Sequence, residues 1–388
     1  MDSLGKKIHN IIEKKHCSLL CVGPMSKNCV DATIEIANEK DIPLMLIASR
    51  RQIDSEAFGG GYVNNWNTDS YAKYVREKDK KNNIILARDH GGPWQSEIEK
   101  HKNLDLKEAM ASAKASFKSD IDAGFQMLHI DPSIDIHKKL TTSEVINRVF
   151  ELYDFCYSYA KKKNKEIIFE IGTEEQTGSS NSQEEVEFTL SKIIRFCDKN
   201  NFPKPTFIVV QTGTRVMETR NIGIFDYPMR IKNQIPSEIQ IPKILEICKK
   251  YNVFIKEHNA DYLSDEGLIW HPKLGIHAVN IAPEFGVIET KALLSIFEDH
   301  NLKELSNDFI EESYASKKWQ KWLLRDSELS KTEKSIISGH YVFSSSKVLE
   351  IKEQAKRYLE KKGIDLEDKL KEVVKTKIIK ILNQFRVL

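Results

Sequence analysis

The sequence predicts an α/β fold, a (β/α)8 TIM barrel followed by an α-helical C-terminal extension. Three observations predict it. Eight short apolar runs recur between residues 17 and 282. Segments with helical spacing of apolar residues separate these runs, and polar residues gather at the same end of run after run. Strands that alternate with helices are typical of parallel sheets, and eight such repeats are enough to close a barrel.

The eight apolar runs are the predicted strands. Most of them are nearly continuous in apolar residues, which is typical of strands that are covered on both faces. In chain order they are CSLLCVG (17–23), PLMLIAS (43–49), NIILARD (83–89), FQMLHID (125–131), EIIFEIG (166–172), TFIVVQTG (206–213), NVFIKEH (252–258) and IHAVNIA (276–282).

The segments between the runs are predicted helices, for example 106–123 and 143–162. The stretch SDIDAGFQMLHID indicates a helix that stops at a glycine and is followed by a strand. A doubly wound open sheet is the alternative. We would expect such a sheet to have a glycine-rich phosphate turn after its first strand, and GPMSKN is not one.

From about Glu289 to Leu388 the pattern is helical throughout. The segments KKWQKWLL and DLEDKLKEVVKTKIIKILNQF have apolar residues at helical spacing. We therefore predict a barrel over residues 1–300 and a helical extension over residues 301–388. The extension is expected to pack on the barrel or on a partner chain, and the protein to form a homo- or hetero-oligomer.

Charge and cysteine content argue against several classes of protein. Lys and Arg number 59 and Asp and Glu 57, so the net charge of +2 gives little attraction for nucleic acid. The six cysteines include no CxxC pair, which favours free thiols in a reducing cytoplasm. No apolar run approaches the roughly 18 residues of a membrane span, and MDSLGKKIHNIIEKKH lacks the apolar region of a signal peptide. We expect a cytoplasmic protein without nucleic-acid or membrane partners.

Polar side chains follow the predicted strands, where a barrel carries its active site. The positions are Ser49, Asp89, His90, Asp131, Glu170, Glu174, Gln211, His258 and Asn280. His90 and His258 end the third and seventh runs, and two imidazoles with a carboxylate or amide oxygen suit a divalent cation such as Zn²⁺. Glu174 and Gln211 are the nearest oxygen donors. For each histidine alone, a bond to backbone remains the alternative.

Asp89 precedes His90 in the stretch ILARDHGGPWQ. An acid beside a metal ligand can donate or accept the proton of a reacting oxygen, although Asp at a strand end also binds loop N–H groups. The stretch SRRQIDSEAFGGGYVNNW follows the second run and contains Arg50, Arg51 and a glycine triplet. It is either a lid over sugar hydroxyls or an ordinary surface loop.

These residues resemble a known family, the accessory-type (Z) subunit of class II tagatose-1,6-bisphosphate aldolase, GatZ/KbaZ. The resemblance rests on an ordered set of blocks that spans roughly residues 16–350. They are PLMLIASRRQIDSEAFGGGY, RDHGGPWQ, HIDPS, IGTEEQTG, IVVQTGT, KEHNADYLS and, in the helical extension, KWQKWLL with SGHYVF. The resemblance implies a class II aldolase-like barrel in which three histidines hold a zinc ion.

Carried over residue by residue, the resemblance implies that His90 and His258 are zinc ligands and that Asp89 shuttles the proton. The place of the third histidine corresponds to Gln211, a weaker zinc ligand. Catalytic class II aldolases bind a phosphate with a glycine-rich turn after the seventh strand and an Asn-x-Asp-Thr-like turn after the eighth. This chain has HNADYLS and NIAPEFG there instead, and Glu284 would repel a phosphate.

We therefore predict a metal-dependent aldolase-like protein that cleaves a ketose or ketose phosphate reversibly. The alternative is a non-catalytic subunit that stabilises a separate catalytic aldolase. A kinase is disfavoured, because the chain has neither a P-loop nor a kinase-type lysine motif. The predicted catalytic residues are Asp89 and Glu174, and the predicted metal ligands are His90 and His258. The predicted substrate-binding residues are Ser49, Gln52, Gly60, Asp131, Gln211, Asn259 and Asn280.

Overall fold

Eight parallel strands form a closed barrel in the computed structural model, which describes residues 3–173, 180–226, 229 and 235–388. The order around the barrel is β1-β2-β3-β4-β5-β6-β9-β10, and β10 pairs with β1. The predicted (β/α)8 fold is confirmed, and each of the eight apolar runs overlaps one strand of the barrel, although β3 continues two residues beyond its run. The strands are β1 (Leu19–Val22), β2 (Leu44–Ser49), β3 (Ile84–Gly91), β4 (Met127–Ile130), β5 (Ile168–Ile171), β6 (Phe207–Val209), β9 (Phe254–Glu257) and β10 (Ala278–Ile281), with the small antiparallel pair β7 (Val216–Met217) and β8 (Arg220–Asn221).

Helices surround the barrel, and several begin where their sequence predicts. Asp105 and Glu108 form a reciprocal capping box at one helix start, and Thr141 and Glu144 form another. The helices are α1 (Ser3–Lys15), α2 (Lys27–Lys40), α3 (Thr68–Lys78), α4 (Glu97–His101), α5 (Leu106–Ala123), α6 (Thr142–Lys162), α7 (Gln183–Asn200), α8 (Ser237–Tyr251), α9 (Asp265–Leu274), α10 (Pro283–Asp299), α11 (Lys303–Ala315), α12 (Lys331–Ser338), α13 (Ser346–Glu360) and α14 (Leu366–Gln384).

Two clusters of buried apolar side chains hold the chain together. The larger fills the barrel and the layer between strands and helices. The smaller lies among α10, α11, α13 and the first turns of α14. Val374, Ile378 and Ile381 of α14 belong to the larger cluster, because this last helix packs on α2 and α10. The C-terminal extension therefore packs on the barrel. The domain boundary at residue 300 stays a prediction.

No helix within the described ranges is both long and apolar enough to span a membrane.

Candidate active site

Asp89 and His90 both reach the mouth of the barrel because β3 ends irregularly. Successive residues of a regular strand face opposite sides. The pairing of β3 with β4 shifts register between Arg88 and Gly91, and His90 has a left-handed backbone with φ of 46°. Such a bulge turns a side chain away from its regular direction. The irregularity therefore brings two adjacent polar residues to one site.

His90 and His258 are each oriented by a carboxylate. His90 Nδ1 lies 2.6 Å from Asp131 Oδ2, and His258 Nε2 lies 2.8 Å from Glu170 Oε1. An ionised carboxylate only accepts hydrogen bonds, so both ring nitrogens must donate. This is the arrangement in which a carboxylate fixes the tautomer of a metal-binding histidine.

The remaining nitrogens of these two rings face each other across 3.2 Å, His90 Nε2 and His258 Nδ1. Two unprotonated nitrogens at this distance would repel each other, so a proton or a metal ion must lie between them. Nitrogen ligands about 2.0–2.1 Å from a tetrahedral zinc ion are separated by roughly 3.3 Å. The pair therefore has the spacing of two ligands of one ion.

Four side chains form the cluster that could hold a metal ion: Asp89, His90, His129 and His258. One ligand atom from each lies within 4.8 Å of the others. His129 Nδ1 lies 3.6 Å from Asp89 Oδ1 and accepts the backbone N–H of His90 at 3.1 Å. Because this bond occupies the ring's lone pair, His129 supports the position of His90 more directly than it offers a ligand atom. The donor set of the other three fits a divalent ion such as Zn²⁺.

A buried ion pair stands behind His258. Lys256 Nζ and His258 Nε2 contact different oxygens of Glu170, and the Lys256 and Glu170 side chains are fully buried. Burial alone would raise the pKa of Glu170, but the charge of Lys256 and the neighbouring histidines hold it well below its usual range. Glu170 is therefore an ionised acceptor, which keeps the proton of His258 on Nε2.

The charges of the site set the pKa values of Asp89 and His90 in opposite directions. Burial opposes ionisation of Asp89, yet His90, His129 and His258 hold the pKa of Asp89 well below its usual range. Burial lowers the pKa of His90, but the Asp89 charge and the bond to Asp131 outweigh it and raise that pKa to about 9. Asn280 Nδ2 donates to Asp89 Oδ1 at 3.2 Å. Asp89 is thus an ionised carboxylate beside the two histidines.

The structure brings seven of the predicted site residues to the cluster or to its edge. Asp89, His90, Asp131, His258 and Asn280 are connected by the contacts above. Ser49 of β2 pairs in register with Asp89, and its N–H and hydroxyl both donate to the Gln52 side chain. Gln52 therefore sits directly beside this strand end.

Other predicted residues have bonds that serve the loops. The N–H of Gly60 donates to the Ser55 carbonyl, and the carbonyl of Asn259 accepts from Asn221. The N–H of Gln211 donates to Asn181 Oδ1 at 2.7 Å, while its carbonyl accepts the N–H of Asn181. Glu174 lies outside the described residues.

His129 and Lys256 belong to the site but were not predicted from sequence, and Glu170 was named among the polar strand ends without an assigned role. A usable signal existed for His129. Met127, His129 and Asp131 alternate along one face of β4, so a predicted site at Asp131 also places His129 on the inward side. Glu170 was among the polar residues at the strand ends, but the sequence did not show that Lys256 and His258 would be its partners.

The fold and these contacts define an aldolase-like (β/α)8 protein with histidines and carboxylates at the barrel mouth. A family model described as "D-tagatose-1,6-bisphosphate aldolase subunit GatZ/KbaZ-like" matches residues 4–200. The chain belongs to this family, as its sequence blocks indicated.

Two solved structures share the fold. A probable tagatose 6 phosphate kinase from Sinorhizobium meliloti 1021 is 16% identical, with a TM-score of 0.74 over 95% of this chain and 99% of that chain. Fructose-bisphosphate aldolase from Campylobacter jejuni is 12% identical, with a TM-score of 0.58 over 98% of this chain and 93% of that chain. The likeness extends through the C-terminal helices, so the extension is part of the shared architecture.

Proposed function

We propose that this protein is a divalent-metal-dependent aldolase of the class II type, which cleaves a ketose or ketose phosphate reversibly. The facing nitrogens of His90 and His258 carry the proposal, because two carboxylates bind the other nitrogen of each ring and leave these two directed at one point. A divalent ion such as Zn²⁺, when bound there, would supply a Lewis acid for the ketose carbonyl. The family supports an aldolase-like role in carbohydrate metabolism.

Asp89 is the proposed base for the hydroxyl next to the bond that breaks. Its low pKa keeps it ionised, and Asn280 orients one of its oxygens. Cleavage of an aldol requires loss of the hydroxyl proton as the carbon–carbon bond opens and the aldehyde forms. Glu174 is proposed as the second acid–base group, since it comes three residues after β5 in the sequence.

The proposed substrate contacts are the polar groups around this base. Ser49, Gln52, Asp131 and Asn280 lie at the cluster or its edge, and Gly60, Gln211 and Asn259 come from loops at the same end of the barrel. Several such groups would fix the hydroxyls of an open-chain sugar and align the reacting atoms. Six free, buried cysteines support a reducing cytoplasmic location for this reaction.

The metal content of the purified chain tests the site directly. We expect about one zinc per chain, with near-complete loss in His90→Ala and in His258→Ala. His101→Ala is the matched control, because His101 is exposed on α4 away from the cluster. A chain that takes up no zinc, cobalt or manganese even when these are added would contradict the metal site.

Activity is tested by cleavage of ketoses and ketose phosphates with and without EDTA. We expect cleavage that chelation abolishes and added zinc restores, and a loss of at least about 100-fold in Asp89→Asn, the typical size of an acid–base contribution. Cleavage at full rate in EDTA would contradict metal dependence.

A stabilising subunit for a separate catalytic aldolase is the second candidate. It is favoured by the family description as an aldolase subunit and by a glutamine, Gln211, where the resemblance expects a histidine. This candidate predicts an inactive chain that forms a hetero-oligomer and raises the thermal stability of a co-expressed class II aldolase. An active chain on its own would exclude it.

A further inference from the structure

A cavity of about 420 Å³ lies between the loop after β2 and the C-terminal extension. Arg51 and the glycine triplet Gly59–Gly61 line one side, and Lys317, Lys318 and Lys321 line the other. Ser49, which pairs in register with Asp89, is two residues before Arg51. The cavity therefore begins beside the strand end that carries the proposed base.

The charges that line this cavity are strongly unbalanced. The second arginine of the lining, Arg50, is neutralised by Asp54 and Glu99 in a buried network. Lys317, Lys318 and Lys321 form no ion pair with any residue that the structure describes. Glu97 is the one carboxylate among the lining residues, and it lies 3.9 Å from Arg51 and 3.8 Å from Lys100.

The ammonium group of Lys321 lies beside two aromatic rings at the wall of the cavity. Lys321 Nζ lies 4.8 Å from the ring centre of Trp322 and 5.1 Å from that of Tyr341, which places its charge at the cavity wall. The cationic side chains that line the cavity repel each other unless an anion enters. Burial and the charges of Arg51 and Lys318 accordingly lower the pKa of Lys321 to about 7, and a bound anion would favour its protonated form. A dianionic phosphate ester would relieve this repulsion and accept several charge-assisted hydrogen bonds.

A second place where a phosphate could bind, the start of α10, is already filled. Helix α10 begins two residues after the end of β10, and the N–H groups at the start of a helix bind anions in many proteins. Here the N–H groups of Ala282 and Glu284 both donate to Asp261 Oδ1, at 2.9 and 2.8 Å. Glu284 adds a second carboxylate, which is paired with Lys377 of α14.

We infer that the substrate carries a phosphate at one end only, and that Arg51, Lys318 and Lys321 bind it. The inference rests on the proposed function, because it treats the cavity as an extension of the site at Asp89 and His90. A phosphate at the opposite end of the sugar would meet Asp261 and Glu284. The protein thus selects a ketose monophosphate over both an unphosphorylated ketose and a ketose bisphosphate.

Binding measured by calorimetry in EDTA tests this inference without any turnover. The probes are D-fructose, D-fructose 6-phosphate, D-fructose 1,6-bisphosphate and inorganic phosphate. We expect the monophosphate to bind at least tenfold more tightly than fructose, and the bisphosphate to bind no more tightly than the monophosphate. The double variant Lys318→Gln/Lys321→Gln should lose at least tenfold in monophosphate affinity and leave fructose binding unchanged.

The control is Lys361→Gln/Lys362→Gln, which removes two exposed charges at the far end of α13. Equal affinities for fructose and the monophosphate, or an unaffected double variant, would overturn the inference. A bisphosphate that binds tenfold more tightly than the monophosphate would overturn selection for one phosphate. If inorganic phosphate binds as tightly as the monophosphate, the cavity binds a free anion and not the phosphate of a sugar, and the inference is overturned. Failure of the aldolase proposal would appear in metal content and cleavage instead, which this experiment does not measure.

Discussion

His340 is a buried histidine that makes no use of its polar atoms. It is 1% exposed, and neither ring nitrogen has a hydrogen-bond partner within the part of the chain that the structure describes. Its ring packs beside Tyr341 and against Gly286 of α10, where a Cβ atom would come within 2.6 Å of the ring. Burial lowers the pKa of His340 to about 3. This side chain therefore remains neutral in the folded protein under conditions where it is protonated in the unfolded chain.

We predict that His340 makes the protein sensitive to acid. Its pKa is lower in the folded than in the unfolded state, so the unfolded chain binds more protons between about pH 6.5 and 3. The stability is fully present above that window and falls by about 1.4 kcal/mol per pH unit within it. Urea unfolding at several pH values gives the free energy of unfolding as a function of pH. This free energy should fall less steeply with decreasing pH in His340→Leu than in the natural protein. Identical slopes for both would contradict the prediction.

Helix α14 shows how an element far from the site in sequence supports the barrel. Its apolar face joins the barrel's core cluster, and its polar face pairs with the barrel through Lys371 and Lys375 to Glu35. These pairs are partly exposed, and ion pairs near the surface contribute about 0–1 kcal/mol each, so the buried apolar face must supply most of the attachment. The helix is thus part of the barrel's stability.

Truncation of one core residue of α14 measures that contribution. Ile378 is completely buried, and we predict that Ile378→Ala lowers the free energy of unfolding by about 2–5 kcal/mol. Lys369→Ala is the control on the same helix, because Lys369 is exposed. Urea unfolding followed by circular dichroism should show one transition, shifted only in the Ile378 variant. A loss below about 1 kcal/mol would mean that α14 is only loosely attached.

The strands could be predicted from sequence because a strand that is buried on both faces has a continuous apolar run, such as the one around β2. The site was harder to predict, since it depends on side-chain direction. The bulge at Asp89 and His90 has no reliable sequence signal, although the two glycines after it permit the close approach to β4. His129 sits within an apolar run, and only its register with Asp131 indicates that it points inward. The partners of Glu170 come from β9, far away in sequence, so spacing could not identify them.

Across the whole molecule, the candidate ligands come from distant parts of the barrel wall. Asp89 and His90 end β3, and His258 follows β9, which lies across the barrel. An ion held by these residues would bind only when both parts of the wall are in place. Metal binding would therefore be linked to folding of the entire barrel, since anything that binds the folded state alone stabilises it.

We predict that zinc raises the stability of the whole chain in a way that requires both histidines. At a free zinc concentration about 100 times the dissociation constant, the free energy of unfolding should rise by about 2.7 kcal/mol. Urea unfolding of the chelated and zinc-loaded protein measures this difference. His101→Ala should show the full gain, whereas His90→Ala and His258→Ala should show almost none. A gain that persists in both variants would place the zinc elsewhere on the chain, and the nitrogens of His90 and His258 would then share only a proton.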